Sequence, residues 1–181
     1  MELKKIFEKA YSLMDEPVID GNCGLLCNYH CCRDDGDDGE QMGIYLLPLE
    51  YETMIQGQAF EKRLRITRHS NKLYEMPSKI KNLYFVYCSD SSKCLREYRP
   101  VQCRTYPFEP HIENGELYII VLKDQIHKCP LLKQKENWRP EFIHGVYEGW
   151  KLLITIPIVN YLIESDSKER NFEEITTKFR F

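Results

Sequence analysis

Eight cysteines are the residues of this sequence whose type and spacing favour a specific chemistry. They form a dense run, a more widely spaced group and a single residue: Cys23, Cys27, Cys31 and Cys32, then Cys88, Cys94 and Cys103, then Cys129. Thiolates are soft ligands that select zinc and iron–sulfur centres. The sequence therefore predicts that these eight cysteines hold a metal cofactor, either zinc or an iron–sulfur cluster. Eight thiolates suit two zinc sites or one iron–sulfur cluster with spare cysteines, and both alternatives stay open.

The spacing of the first run limits how it can bind. If residues 23–31 were one straight α-helix, Cys23 and Cys31 would lie roughly 12 Å apart along its axis. Sulfur atoms that share one tetrahedral zinc lie only about 4 Å apart. We therefore expect this run either to coil around one site or to feed two centres.

Three other residues are candidates for the same site. His30 and His127 are each next to a cysteine-bearing segment and offer a ring nitrogen as a possible metal ligand, a question that the sequence leaves open. Arg104 follows Cys103 directly, where its guanidinium can offset thiolate charge and bind a sulfur or a backbone carbonyl. A surface salt bridge is the alternative role for this arginine.

The rest of the sequence indicates the cellular compartment in which these thiols are expected. A chain of 181 residues can bury an apolar core without disulfides. The N-terminal segment is amphipathic rather than an export signal, and the longest apolar run, residues 152–163, is too short to span a bilayer. We expect a cytoplasmic location, where thiols stay reduced and a vicinal disulfide between Cys31 and Cys32 does not form.

Charge gives no sign of a polyanionic partner. The chain has 25 Lys and Arg residues against 28 Asp and Glu residues, a net charge of -3. We therefore expect neither a nucleic acid nor a membrane as a partner. A metal ion is the predicted partner, and the sequence does not identify a protein partner.

Hydrophobic periodicity switches between 3.6 and 2 residues along the chain, which is typical of an α+β fold. We predict an N-terminal helix that ends near Asp15 and a C-terminal helix over residues 140–156 that Pro157 breaks or kinks. Between them we predict short strands, an antiparallel sheet with a hairpin at Asn114-Gly115, and irregular loops that carry the cysteines. We expect one domain over residues 1–181, with the cysteine-bearing part at about 21–132. The tail over residues 165–181 is charged, and its pattern does not predict any particular structure.

Four segments carry a resemblance to a known family. CGLLCNYHCC, GIYLLPLE, CLREYRPVQCRTYPF and HKCPLL, over roughly residues 21–132, resemble the zinc- or iron-chelating family named for a C-x2-C-x2-C-C run. In this chain three residues, rather than two, separate Cys23, Cys27 and Cys31. The resemblance implies metal chelation by the cysteines. A related branch, the flagellin lysine-N-methylases, is similar in using a cysteine-bound iron–sulfur centre.

Three functions follow from these observations. The first is a metal-binding protein with a structural or redox-active centre. The second is an iron–sulfur-dependent methyl-transfer enzyme of the flagellin lysine-N-methylase type. The third is a protein-interaction module braced by zinc. The sequence lacks G-x-S-x-G, a phosphate loop, H-E-x-x-H and G-x-G-x-x-G, so it indicates none of the reactions that these motifs carry.

Overall fold

A computed structural model describes residues 2–32, 42–89, 94–123 and 129–181. The α-helices in this part of the chain are α1 (Leu3–Leu13), α2 (Val101–Thr105), α3 (Pro140–Leu153) and α4 (Pro157–Glu169). The strands are β1 (Ile44–Tyr45), β2 (Leu64–Ser70), β3 (Asn82–Cys88), β4 (Glu109–Glu113), β5 (Glu116–Leu122) and β6 (Ile175–Phe179). Short 3₁₀ and π-helical turns connect several of these elements. This is the α+β class that the periodicity predicts.

The strands of the described chain form two antiparallel sheets of three strands each. In the first sheet β3 lies between β1 and β2, so that Ile44 and Ile66 both face Val86, one from each side. In the second sheet β5 lies between β4 and β6. The turn between β4 and β5 is Asn114-Gly115, with φ angles of 53° and 79°. Asparagine and glycine tolerate this left-handed region best, and the predicted hairpin is confirmed.

The main core lies between the helices and the second sheet. Phe7 and Ala10 of α1 and Trp150 of α3 belong to it. The two helices approach closely at Gly145, where an added Cβ would lie 2.2 Å from the carbonyl oxygen of Leu13. A smaller apolar cluster lies at the first sheet and contains Leu46, Ile55 and Val86.

The C-terminal tail is more ordered than its charge indicates. Pro157 ends the preceding helical pattern but also begins α4, because proline is well suited to the first turn of a helix. After α4, β6 pairs with β5, and Phe179 packs against Phe108 with ring centroids 6.0 Å apart. The alternation of Ile175 and Phe179 with polar residues was the available strand signal. The sequence analysis made no prediction for this tail, so the end of α4 and β6 are features that it missed.

Candidate metal centre

The first cysteine run folds as two short turns, not as a helix. Its 3₁₀ turns are Cys23–Leu26 and His30–Cys32. Between them Asn28 and Tyr29 have φ angles of 52° and 58°, and the Tyr29 amide donates to the Gly24 carbonyl at 2.8 Å. Two left-handed residues in succession reverse the chain. The run therefore coils, which is one of the two arrangements that the spacing allowed.

The other cysteines come from separate elements. Cys88 ends β3, and Cys103 lies inside α2. Cys94 follows residues 90–93, which lie outside the described residues, and Cys129 precedes the 3₁₀ turn Pro130–Lys133. All eight cysteines are free thiols in this structure. The absence of a disulfide between Cys31 and Cys32 in the protein stays a prediction.

Six cysteines from these separate segments line one cavity of about 420 Å³: Cys23, Cys31, Cys32, Cys88, Cys94 and Cys103. The Sγ atoms of Cys31 and Cys32 are 3.6 Å apart. This distance is close to the roughly 4 Å that separates sulfur atoms sharing a tetrahedral zinc. Nevertheless, no group of three or more His, Cys, Asp or Glu side chains in the described part of the chain is arranged so that it could hold a metal ion. The thiols share a cavity without forming a coordination sphere.

Two thiol pairs are coupled by hydrogen bonds. The bond between Cys31 and Cys32 lowers the pKa of Cys31 and raises that of Cys32. A bond between Cys88 and Cys94 lowers the pKa of Cys94 and raises that of Cys88 in the same way. In each pair one sulfur is thus favoured as the thiolate and the other retains the proton. A metal ion that replaced this proton would hold both sulfurs as thiolates.

At the other three thiols whose pKa is shifted, burial is the largest cause of the shift. It raises the pKa of Cys103 and of Cys23, and it raises that of Cys129 to about 11. The charges of Cys27 and Cys31 also raise the pKa of Cys129. Cys27 and Cys129 therefore lie close to the cysteines of the cavity wall.

The arginine that faces the thiols is Arg99. Its guanidinium hydrogen-bonds Cys94 and acts electrostatically on four further cysteines: Cys23, Cys31, Cys88 and Cys103. The sequence singled out Arg104 instead, because that residue adjoins Cys103. An arginine four residues before a cysteine gave no comparable signal.

Arg104 is a structural residue. It is 3 % exposed, and it forms a salt bridge with Asp15, whose side chain is 61 % exposed. Its Nη1 donates to Asp15 Oδ1 at 2.8 Å, and its Nε donates to the Arg99 carbonyl at 2.7 Å. The prediction that it binds a backbone carbonyl is confirmed. It also adds positive charge near Cys94.

A buried carboxylate below α2 was not predicted. Glu50 is 0 % exposed and accepts three hydrogen bonds, from the Tyr11 hydroxyl at 2.6 Å and from the amides of Leu47 and Val101 at 2.8 Å each. Burial raises the pKa of this carboxyl group. Because Val101 begins α2, Glu50 ties the helix of Cys103 to α1. A glutamate inside the apolar stretch LLPLEYETMI was the available signal.

The two candidate histidine ligands are placed differently. His30 lies in the turn that carries Cys31 and Cys32. His127 lies outside the described residues.

A comparison of the chain with protein-family models, curated proteins and solved structures gives no significant match. No helix in the described part of the chain is long and apolar enough to cross a membrane.

Proposed function

We propose that this protein binds zinc or an iron–sulfur centre through its clustered cysteine thiolates. The observation that supports the proposal is the cavity, to which two stretches far apart in sequence, around residues 23–32 and 88–103, bring six cysteines. An intracellular domain of this size has no stability requirement for so many neighbouring thiols, and an inert buried thiol behaves only as a small apolar group. Metal binding gives the arrangement a physical reason, because the binding free energy would stabilise the assembled loops.

The donor set fits such a centre in its chemistry. All eight candidate ligands are sulfurs, which suit zinc and iron–sulfur centres and no hard cation. Arg99 would offset part of the thiolate charge, and hydrogen bonds to sulfur are known to tune such sites. Small movements of the cysteine loops would be needed, since the described side chains do not yet form a coordination sphere. The resemblance to the cysteine-cluster family and the cytoplasmic location belong to the same proposal.

A reaction at the centre, such as the methyl transfer of the related branch, is the second candidate function. The cavity favours a reaction over the third function, an interaction module that zinc only stabilises, because it leaves room for a reactant beside the cysteines. An iron–sulfur centre would supply electrons there, and the chain's own residues would bind and orient the reactant.

Purification without oxygen, followed by elemental analysis and an absorption spectrum, tests the proposal. We expect stoichiometric metal, with a brown colour for an iron–sulfur centre and no colour for zinc. Cys103→Ser should lose bound metal, whereas Thr105→Ser, a control on the same helix, should keep it. A folded wild-type protein without metal, or equal metal content in the two variants, would refute the proposal.

A further inference from the structure

The cavity beside the cysteines extends into the aromatic part of the core. Six aromatic side chains line it: Tyr29, Phe60, Tyr106, Phe108, Phe142 and Trp150. Phe108 and Phe142 meet edge to face, with ring centroids 5.2 Å apart and an angle of 70° between the planes. Its volume of about 420 Å³ lies in the usual range for small-molecule sites.

One residue of this wall, Trp150, carries a buried polar atom that has no partner among the described residues. The indole Nε1 of Trp150 is buried and makes no hydrogen bond within the described residues. An unpaired buried donor is destabilising, and most tryptophan N–H groups in protein interiors are paired. A bound molecule with an acceptor atom would satisfy it.

The four arginines of the cavity wall already have partners, and Arg99 hydrogen-bonds Cys94. Arg170 pairs with Glu109 at 2.8 Å and donates to the Pro110 carbonyl at 3.0 Å. Arg96 donates to the carbonyls of residues 14–16, and Arg104 is held by the bonds described above. These contacts favour a neutral ligand over an anion.

We propose that this cavity binds a small neutral aromatic molecule whose carbonyl-type oxygen accepts a hydrogen bond from Trp150 Nε1. Edge-to-face contacts with Phe108 and Phe142 would hold the ring. The site goes beyond the proposed metal binding and does not depend on it, although a ligand placed there would lie next to the cysteines.

Two probes of nearly equal shape separate the hydrogen bond from apolar contact. Acetophenone has an acceptor oxygen, and ethylbenzene has none. Binding of each to the full-length protein, as purified without oxygen, is measured by calorimetry or ligand-observed NMR. We expect acetophenone to bind up to about tenfold more tightly, which is the effect of one additional buried hydrogen bond. Trp150→Phe should abolish this preference.

A matched pair of variants tests whether the probes bind in this cavity. Ile44 and Ile66 are half-buried, face Val86 from opposite sides and belong to the same apolar cluster, but only Ile44 lines the cavity. Ile44→Phe should weaken acetophenone binding several-fold, and Ile66→Phe should not. The thermal midpoint of each variant shows whether it is folded.

Three results would overturn the proposal: no binding of acetophenone to wild-type protein, equal affinity for both probes, or equal affinity in the Ile44 and Ile66 variants. The comparison of the two probes uses the wild-type protein, so it decides the matter even if Trp150→Phe does not fold. Metal content is measured on the same samples. A metal-free protein that still prefers acetophenone would refute the proposed function and leave this site standing.

Discussion

At the scale of single residues, the carboxylate of Glu50 connects the core to the cysteine cluster. It is fully buried and accepts hydrogen bonds from α1, from the turn before the π-helix and from the first residue of α2. Three donors offset part of the cost of burying the charge, although burial still raises the pKa of this carboxyl group. Loss of the carboxylate should affect both stability and the position of Cys103.

We predict that Glu50→Gln lowers the free energy of unfolding by about 2–4 kcal/mol, because the amide nitrogen of glutamine would face N–H and O–H donors. Urea unfolding measures this change. Glu52→Gln, at an exposed position two residues away, is the control and should stay within about 0.5 kcal/mol of wild type. Equal stability of the two variants would show that the hydrogen bonds of Glu50 to α1 and α2 do not stabilise the fold.

His111 makes stability depend on pH. Its side chain is fully buried, and burial, together with the charges of Arg170 and Lys178, lowers its pKa below 6.5 although Glu113 opposes them. As the pH falls below about 6.5, the unfolded chain takes up a proton that the folded protein does not, so the free energy of unfolding decreases.

His111→Phe should therefore reduce the loss of stability between pH 7 and pH 5. Urea unfolding at both pH values gives the difference. His144→Gln, at an exposed position of α3, serves as the control and should lose stability with acid as wild type does. The same acid sensitivity in all three proteins would contradict the assignment to His111.

At the scale of elements, the contact between α1 and α3 depends on two glycines of α3. A Cβ at Gly145 would lie 2.2 Å from the Leu13 carbonyl oxygen, which is rigid backbone. A Cβ at Gly149 would lie 2.6 Å from the Met14 side chain, which is flexible. The two positions should therefore differ in their tolerance of alanine.

We predict that Gly145→Ala destabilises the protein by about 2 kcal/mol or more, although alanine favours a helix by about 1 kcal/mol over glycine. Gly149→Ala should cost clearly less. Thermal unfolding of the two variants makes the comparison. A Gly145→Ala protein as stable as Gly149→Ala would show that the helices can separate without cost.

Local signals predicted the elements well. Amphipathic spacing predicted α1 and most of α3, and Asn114-Gly115 predicted the hairpin, because neighbouring residues determine these features. The spacing of Cys23, Cys27 and Cys31 allowed coiling as one of two arrangements, and the structure shows it. The clustering around Arg99 and the role of Glu50 were not predicted, since they depend on contacts between residues far apart in sequence: Tyr11 and Glu50 are 39 residues apart, and Cys23 and Arg99 are 76 apart.

At the scale of the whole molecule, apolar burial is unevenly distributed. The cysteine loops expose their large apolar side chains: Leu25 is 73 % exposed and Leu95 is 51 % exposed, whereas Phe7 and Leu153 are fully buried in the helical core. Ordering a residue costs about 1–2 kcal/mol of backbone entropy. The loops bury little apolar surface to offset this cost, and under the proposed function metal binding would supply the difference.

Hydrogen exchange tests whether the cysteine loops depend on metal while the helical core does not. We predict that removal of the metal by chelation lowers protection in residues 23–32 and 94–103, while α1 and α3 keep most of theirs. The helices of the same sample serve as the internal control. Equal protection of the loops with and without metal would show that the metal does not order them.

X-ray absorption at the metal edge tests the central claim most directly. For protein purified without oxygen, we predict a first shell of sulfur atoms at about 2.3 Å, the length of a metal–thiolate bond. A first shell of oxygen or nitrogen atoms would contradict the account, as would a folded protein with no bound zinc or iron.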